Sequence, residues 1–332
     1  MSAVPILRIE GVTKDFKIKR STLSGENLYL RAVNDVSLDV FPGETLGVVG
    51  ESGCGKSTLG RTILQLTPPT KGRILFDGQD ITRLSRKQLK AIRQDIQIIF
   101  QDPYSSLNPR MKVRDIIAEP LENFLSDRGE IERRVQEVME VVKLPAAYAD
   151  RYPHEFSGGQ RQRIGIARAI AIKPRLIVCD EAVSALDVSV QAQILNLLKD
   201  IQRETQVALV FISHNLGVVR YLSNRVAVMY LGRVVELASE HALFEGPLHP
   251  YTSALLSAIP VADYGRRGTR KYLSGDIPSP IDPPPGCPFH QRCEKAQDIC
   301  RVQTPVLSEL KAAHWAACHF PNNSDERNRD GA

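Results

Sequence analysis

The sequence lacks any long apolar run, and none of its hydrophobic stretches approaches the roughly 18 residues that a helix needs to span a bilayer. Its first residues, Met1 to Ile6, also lack a basic segment leading into an apolar core, so no signal peptide is evident. No internal repeat and no low-complexity tract interrupts the chain. We therefore expect a cytosolic protein without a membrane-spanning helix.

Strong net charge is absent as well. The 43 basic and 38 acidic residues leave a net charge of +5, which a spread of solvated side chains explains without nucleic acid or an anionic membrane as partner. The composition, 42% hydrophobic and 24% charged, is ordinary for a soluble globular protein. A chain of 332 residues should form about two structural units.

Strands and helices alternate along most of the chain. Continuous apolar runs at 45–49, 176–179 and 208–212 predict strands buried on both faces. Their alternation with helical segments predicts an α/β fold on a mainly parallel sheet, with helices on both faces. A mostly helical insert is expected at about 103–152, and a hairpin at 225–237.

One motif organises the sequence: residues 50–58 read G-E-S-G-C-G-K-S-T, between a predicted strand and a predicted helix. This is the phosphate-binding loop in the context it requires. Lys56 would lie along the β- and γ-phosphates, and Ser57 would ligate Mg²⁺. The alternative is a glycine-rich turn with a chance lysine. The predicted contacts of ATP are Gly50, Ser52, Gly53, Cys54, Gly55, Lys56, Ser57 and Thr58.

A second motif consists of two adjacent acidic residues. Asp180 and Glu181 follow the predicted strand at 176–179. Asp180 would hold Mg²⁺ through water, and Glu181, one residue further out, would act as general base toward the attacking water. Two solvated acids at the end of a strand are the alternative.

Together these motifs resemble the ATP-binding cassette (ABC) ATPases over residues 5–260. The other marks of that family occur in order: Gln101 after a strand, a Ser-Ala-Leu-Asp loop at 184–187, and His214 after the last buried strand. The resemblance implies a P-loop nucleotide-binding domain over 1–260, with a RecA-like core, an antiparallel β-subdomain and a helical subdomain at about 103–165. The family signature is present as Ser157, Gly158, Gly159 and Gln160.

The resemblance also implies roles for these residues. The signature turn would cap the γ-phosphate of ATP bound to a second cassette in a head-to-tail dimer. Gln101 would contact Mg²⁺ and the attacking water, His214 the γ-phosphate, and Asp187 would orient groups across the dimer seam. Phe16 would stack on adenine, where the family often has tyrosine. Taken alone, Phe16 could equally be a core aromatic and His214 a structural histidine.

Two positions depart from the family pattern. Ala182 stands where relatives usually have proline, and Asn215 stands where many have aspartate. Neither change removes a phosphate contact, so we expect activity to be retained.

Within the family, the chain looks most like the second of the two ATPase subunits of bacterial dipeptide and oligopeptide importers. The residues that carry this resemblance lie at 50–61, 100–110, 183–191, 249–252 and 278–287. It implies an ATPase that powers peptide import from the cytoplasmic face of the inner membrane, as a peripheral subunit. The implied partners are a second ABC ATPase subunit in a probable heterodimer, two transmembrane permease subunits and, indirectly, an extracytoplasmic substrate-binding protein.

An importer for another solute, such as a nickel chelate or glutathione, is the alternative within transport. An ABC ATPase of DNA repair or translation is the alternative outside it, but the chain has neither a second cassette nor the coiled-coil insertions or basic patches of those proteins. Glu181 disfavours a non-catalytic regulator. We therefore expect no nucleic-acid partner.

Four of the six cysteines lie in a proline- and cysteine-rich extension, 261–332, with the spacing C-x5-C-x6-C-x17-C. Four thiols in a cytosolic tail suggest a metal site. The gaps are wider than the paired C-x2-C of a zinc ribbon. The four candidate ligands are Cys287, Cys293, Cys300 and Cys318.

An iron–sulfur cluster accepts four cysteine ligands, and the resemblance to importers with this tail implies a [4Fe–4S] cluster. Zinc is the alternative, with His290, His314 or His319 as a substitute ligand, and uncoordinated or disulfide-linked thiols are a third. Cys54 and Cys179 are expected to be small apolar fillers.

Overall fold

The computed structural model describes residues 4–18, 28–102, 104–258 and 275–322. The chain folds into two compact units. The first unit comprises Met1–Arg8, Asp39–Thr45 and Leu75–Ser213, and the second comprises Ile9–Leu38, Leu46–Ile74 and His214–Ala332. The predicted boundary near residue 260 lies outside the described residues.

The described residues form strands and helices in alternation. The strands are β1 (Leu7–Ile18), β2 (Leu28–Val40), β3 (Thr45–Val49), β4 (Lys71–Phe76), β5 (Gln79–Asp80), β6 (Ile96–Ile99), β7 (Leu176–Asp180), β8 (Ala208–Ile212), β9 (Arg225–Tyr230), β10 (Arg233–Ser239), β11 (Ser308–Lys311) and β12 (His314–Ala316). The helices are α1 (Lys56–Ile63), α2 (Arg86–Asp95), α3 (Val113–Glu122), α4 (Arg128–Val141), α5 (Gly158–Ile170), α6 (Val188–Thr205), α7 (Leu216–Leu222), α8 (Glu240–Glu245), α9 (Pro250–Ser257) and α10 (Asp298–Val302). None of these helices combines the length and apolarity of a membrane span.

The first unit is built on parallel strands. β7 lies between β6 and β8, with Val178 opposite Ile98 on one side and Val210 on the other. Every residue of β7 and β8 is buried. This confirms the prediction from their apolar runs, because a strand with both faces covered has no need for polar alternation.

The helical insert also belongs to the first unit. α3, α4 and α5 pack on one another, and they agree with the helical spacing of the sequence. The sequence predicts a helix at 161–171 with Ser157 as its N-cap. In the structure Ser157 caps α5: its Oγ accepts from the amide of Gln160 at 3.4 Å, and the Gln160 side chain accepts from the amide of Ser157 at 3.0 Å. This reciprocal pair is a capping box, which fixes where the helix begins.

The second unit carries β1, β2 and β4 in the order β2-β1-β4. It also holds β3 parallel to β9, and the predicted hairpin β9–β10 is confirmed with Arg233 opposite Tyr230. β12 then pairs antiparallel with β10, and β11 with β12. The extension therefore contributes strands to the same sheet as the hairpin.

The sequence prediction differs from the structure at several element ends. Residues 17–30 are polar and irregular in sequence, which predicts a loop, but β1 continues to Ile18 and β2 begins at Leu28, while the intervening residues lie outside the described ranges. Helix α2 was not predicted. None of its residues is buried, so it lacks the apolar stripe by which a helix is recognised.

Candidate functional site

The phosphate loop connects β3 to α1 in the second unit. Its glycines adopt positive φ: 151° at Gly50, 78° at Gly53 and 102° at Gly55. A Cβ at Gly55 would overlap the carbonyl oxygen of Ala32. The loop thus needs glycine both for its backbone conformation and for close packing.

Lys56, the first residue of α1, crosses this loop. Its side chain is buried, and its Nζ donates to the carbonyl oxygens of Gly50 at 2.8 Å and Glu51 at 3.0 Å. The Sγ of Cys54 lies 3.6 Å from the same Nζ. A cation is thereby placed against a glycine-rich turn at a helix N-terminus, which is the arrangement that binds phosphate.

The other predicted residues of the loop take distinct positions. Ser52 and Gly53 are exposed at its tip, and Ser57 and Thr58 lie in the first turn of α1. Cys54 is buried, and burial raises the pKa of its thiol while Lys56 opposes that shift. Its burial matches the expected role as a small filler.

Two further side chains contact the loop, and the sequence predicted a role for neither. The hydroxyl oxygen of Tyr251 accepts from the amide of Glu51 at 2.9 Å. The guanidinium of Arg292 donates to both carboxylate oxygens of Glu51, at 2.7 and 3.0 Å. Tyr251 lies in the His-Pro-Tyr-Thr stretch noted above, whereas no local pattern marks Arg292.

The predicted acids lie in the first unit. Asp180 is the last residue of β7 and is buried, and Glu181 follows with φ of 50°. A positive φ at a residue other than glycine is uncommon and concentrates at functional sites. Glu181 is fixed there because its amide donates to Ile212 O at 3.0 Å and its carbonyl accepts from the Ser184 amide at 3.1 Å.

Gln101 lies against the second of these acids. Its Nε2 donates to Oε2 of Glu181 at 2.9 Å. The structure therefore brings together two of the predicted catalytic residues, from the ends of the neighbouring strands β6 and β7. Ala182, one of the departures from the family pattern, is buried directly after Glu181.

His214 and Asn215 belong to the second unit. His214 is exposed, which places it at the surface rather than in the core. Asn215 is the N-cap of α7, and its Oδ1 accepts from the amides of Gly217 at 3.0 Å and Val218 at 3.3 Å. An aspartate would offer the same acceptor, so this departure conserves the local structure.

The signature turn is shaped by its neighbour in the first unit. A Cβ at Gly159 would overlap Cγ1 of Val190 in α6, so only glycine allows the two helices to approach this closely. Asp187 caps α6: its Oδ1 accepts from the Val190 amide at 3.0 Å and from Ser189 Oγ at 2.7 Å. These two hydrogen bonds lower the pKa of Asp187.

Phe16 lies on β1 with 40% of its surface exposed. The Nζ of Lys14 is 5.2 Å from the centroid of its ring. This exposure contradicts the alternative of a core residue.

The extension brings its cysteines together. All four predicted ligands line one cavity, together with Phe289 and His319. Burial raises the pKa of Cys287 to about 11 and that of Cys318 to about 12, and the neighbouring thiols add to both shifts. Within the described ranges, however, no group of three or more His, Cys, Asp or Glu side chains is arranged to hold a metal ion.

One of the histidines considered as a zinc ligand is engaged elsewhere. The Nε2 of His314 lies 2.7 Å from Oε1 of Glu236, and both side chains are buried. His290 lines the cysteine cavity, and its Nδ1 lies 2.8 Å from the carbonyl oxygen of Cys287. His290 and His319 therefore line the cavity of the thiols, whereas His314 does not.

Two families match this chain. The family described as ABC transporter matches residues 33–184. The family described as oligopeptide/dipeptide transporter, C-terminal region, matches residues 235–300. The second match includes three of the four cysteines and Arg292.

Individual proteins are similar over nearly the whole chain. The probable peptide ABC transporter ATP-binding protein y4tS of Sinorhizobium fredii is 53% identical over 315 residues, which cover 95% of this chain and 89% of the relative. The oligopeptide transport ATP-binding protein AppF of Bacillus subtilis is 51% identical, covering 95% and 97%. Among solved structures, the dimeric post-hydrolysis state of the ATP-binding cassette MJ0796, bound to ADP and Pi, is similar with a TM-score of 0.63 and 29% identity, covering 70% of this chain and 98% of that one.

Proposed function

The chain belongs to the family of ABC transporter ATPases, and from that membership we propose that it hydrolyses ATP to power the import of dipeptides or oligopeptides. The observation that carries the proposal is the extent of the similarity. Relatives named for peptide transport match 95% of the chain, and a family named for oligopeptide/dipeptide transport matches its C-terminal region.

In the proposed reaction the second unit binds the nucleotide. The amides of the phosphate loop and the ammonium of Lys56 would bind the phosphates, and Phe16 would stack on the base. Ser57 and Asp180 would hold Mg²⁺, which neutralises phosphate charge when bound. The buried Lys56, held by two loop carbonyls, supports this assignment.

In the same reaction Glu181 would accept the proton of the attacking water. The hydrogen bond from Gln101 supports this role because it orients the carboxylate, and a general base must be aimed at the proton it removes. His214 would hydrogen-bond the γ-phosphate, and its exposure leaves its ring accessible to a ligand.

The cassette is proposed to act in a head-to-tail pair. The first turn of α5, with Ser157, Gly158 and Gly159, would bind the γ-phosphate on the partner cassette, since a helix N-terminus favours an anion. The partner is proposed to be a different ATPase subunit. Two permease subunits would hold the pair on the cytoplasmic face of the membrane, and an extracytoplasmic binding protein would deliver the substrate.

We also propose that the extension holds a [4Fe–4S] cluster on Cys287, Cys293, Cys300 and Cys318. The support is that the four thiols, two of them buried and two half-buried, line one cavity. Zinc is the alternative, and it is disfavoured because the gaps between the cysteines are wider than the paired C-x2-C of a zinc ribbon. An iron–sulfur cluster is wider than one ion, so its four thiolates stand farther apart. When bound, it would stabilise thiolates that burial otherwise disfavours.

The test is purification from membranes under anaerobic conditions, with mass-spectrometric identification of partners and assays of iron and sulfide on one sample. We expect a second ABC ATPase, two permease subunits and about four irons per chain. Partners and iron are separate outcomes. Permeases without iron would remove the cluster but leave the importer, whereas a soluble protein bound to nucleic acid or ribosomes would overturn the importer.

A further inference from the structure

Glu51, the second residue of the phosphate loop, is held from three directions within the second unit. Its amide donates to the Tyr251 hydroxyl, its carbonyl oxygen accepts from Lys56 Nζ, and its carboxylate accepts from Arg292. The last contact is bidentate, with Nη1 to Oε2 at 2.7 Å and Nη2 to Oε1 at 3.0 Å. Paired charged hydrogen bonds of this kind are stronger and more directional than neutral ones.

Arg292 reaches the loop from the cysteine-rich extension. It closes the short turn His290–Arg292, and its side chain is only 4% exposed. The preceding Phe289 is buried against Tyr230 and Tyr251, with ring centroids 5.3 and 5.4 Å apart. The backbone that carries the guanidinium is thus anchored in an aromatic cluster.

We propose that Arg292 is a positioning residue for nucleotide binding, and that through it the extension sets the affinity of the phosphate loop. A carboxylate inside an anion-binding loop opposes a polyphosphate unless a cation neutralises it. The bidentate contact supplies that neutralisation. It also restrains a glycine-rich segment, which lowers the entropy that binding must otherwise remove.

The contact between Arg292 and Glu51 predicts an order of nucleotide affinity among variants. In Arg292→Met the carboxylate of Glu51 stays in the loop without its cation, so both the restraint and the neutralisation are lost. In the double variant Arg292→Met/Glu51→Gln the charge is gone and only the restraint is lost. The double variant should therefore bind nucleotide better than the single one.

This inference rests on the proposed function, and calorimetric titration of the full-length chain with MgADP tests the two separately. We expect Arg292→Met to weaken binding by about tenfold, and the double variant to stay within about threefold of the wild type. In ATP hydrolysis, Arg292→Met should raise KM while leaving kcat within about twofold. If Arg292 only stabilised the fold, the MgADP affinity and the melting temperature would fall together, and equally in the single and the double variant.

The matched control is Arg301→Met. Arg301 is exposed in the same extension and, like Arg292, stands next to a cysteine of the cavity, so it reports any general effect on the extension. It should bind MgADP as the wild type does. Arg292→Gln keeps a polar side chain but removes the charge, and it provides a second reading if Arg292→Met does not fold.

The outcomes separate the hypotheses. Wild type that does not bind MgADP would overturn the proposed function itself. If the wild type binds MgADP, an unchanged affinity in a folded Arg292→Met or Arg292→Gln would overturn this inference alone. A double variant as weak as Arg292→Met would also overturn it, because the unpaired carboxylate would then not be the cause.

Discussion

Nε2 of Gln101 lies 2.9 Å from Oε2 of Glu181, so an amide beyond the end of β6 holds the carboxylate that follows β7. The two strands are neighbours in parallel register, and parallel strands bring their carboxyl ends to one edge. Glu181 itself adopts a left-handed backbone conformation, with φ of 50°. The position of Glu181 is thus set by its own backbone hydrogen bonds and by the hydrogen bond from Gln101 to its carboxylate.

Glu181→Gln should abolish ATP turnover while preserving ATP binding. The amide keeps the size of the side chain but cannot accept a proton, and loss of a general base costs about a factor of 10² to 10⁴. Phosphate release measures turnover, and size-exclusion chromatography with MgATP should show persistent dimers. Glu204→Gln, an exposed acid of α6, is the control. Unchanged turnover in Glu181→Gln would remove it as the base.

Gln101→Leu should slow hydrolysis by roughly tenfold with a much smaller effect on MgADP affinity. Leucine fills similar space but donates no hydrogen bond, so Glu181 loses the partner that orients it. Single-turnover hydrolysis separates this effect from binding. Gln97→Leu serves as the comparison, because Gln97 lies on β6, just before Gln101 in the chain, but donates to the carbonyl oxygens of Arg93 and Ile96. Equal losses in both variants would point to damage to β6.

Asn215→Ala should destabilise the protein, whereas Asn215→Asp should not. The alanine variant loses the oxygen that caps the amides of Gly217 and Val218, and loss of an N-cap costs about 1 kcal/mol. Urea unfolding of the three proteins measures the difference. An Asp variant as unstable as the Ala variant would mean that the amide nitrogen, not the capping oxygen, is what the site requires.

Stability should fall between pH 6.5 and about 4 because of His249. Burial lowers the pKa of this fully buried histidine to about 4, and the nearby Glu236 opposes the shift only in part. The unfolded chain takes up a proton near pH 6.5 and the folded chain does not, so acid favours unfolding. The stability lost over this window is about 3 kcal/mol.

Urea unfolding at pH 7 and pH 5 tests this expectation. In the wild type, Nδ1 of His249 accepts a hydrogen bond from the Tyr251 amide at 3.1 Å. The variant His249→Asn retains an acceptor for this amide. It should show a weaker pH dependence than the wild type. The exposed His241 provides the matched variant His241→Asn, which should leave the dependence unchanged. An equally steep dependence in His249→Asn would assign it to other groups.

The local features of the fold could be predicted from the sequence because their signals are local. The strands at Thr45–Val49 and Ala208–Ile212 have the predicted bounds, because turn residues on both sides of a continuous apolar run define where the strand begins and ends. The N-cap at Ser157 followed from its position before two glycines and a glutamine. For α2, the capping box of Ser85 and Gln88 was the available signal.

The contacts that the sequence could not supply join residues far apart in the chain. Arg292 and Glu51 are 241 positions apart, and His314 and Glu236 are 78 apart. An arginine next to a cysteine has no periodicity or motif that indicates its partner. Such pairs are set by the packing of Phe289 and by the pairing of β12, which only the folded chain reveals.

The pairing of β12 with β10 determines how far this chain can be shortened. Glu236, Leu237 and Ala238 lie opposite Ala316, Trp315 and His314. A chain cut after residue 258 would leave an open, apolar sheet edge, and such an edge is a template for aggregation. It would also leave the buried carboxylate of Glu236 without its imidazole partner. The smallest well-behaved cassette of this protein therefore includes the strand that begins at His314.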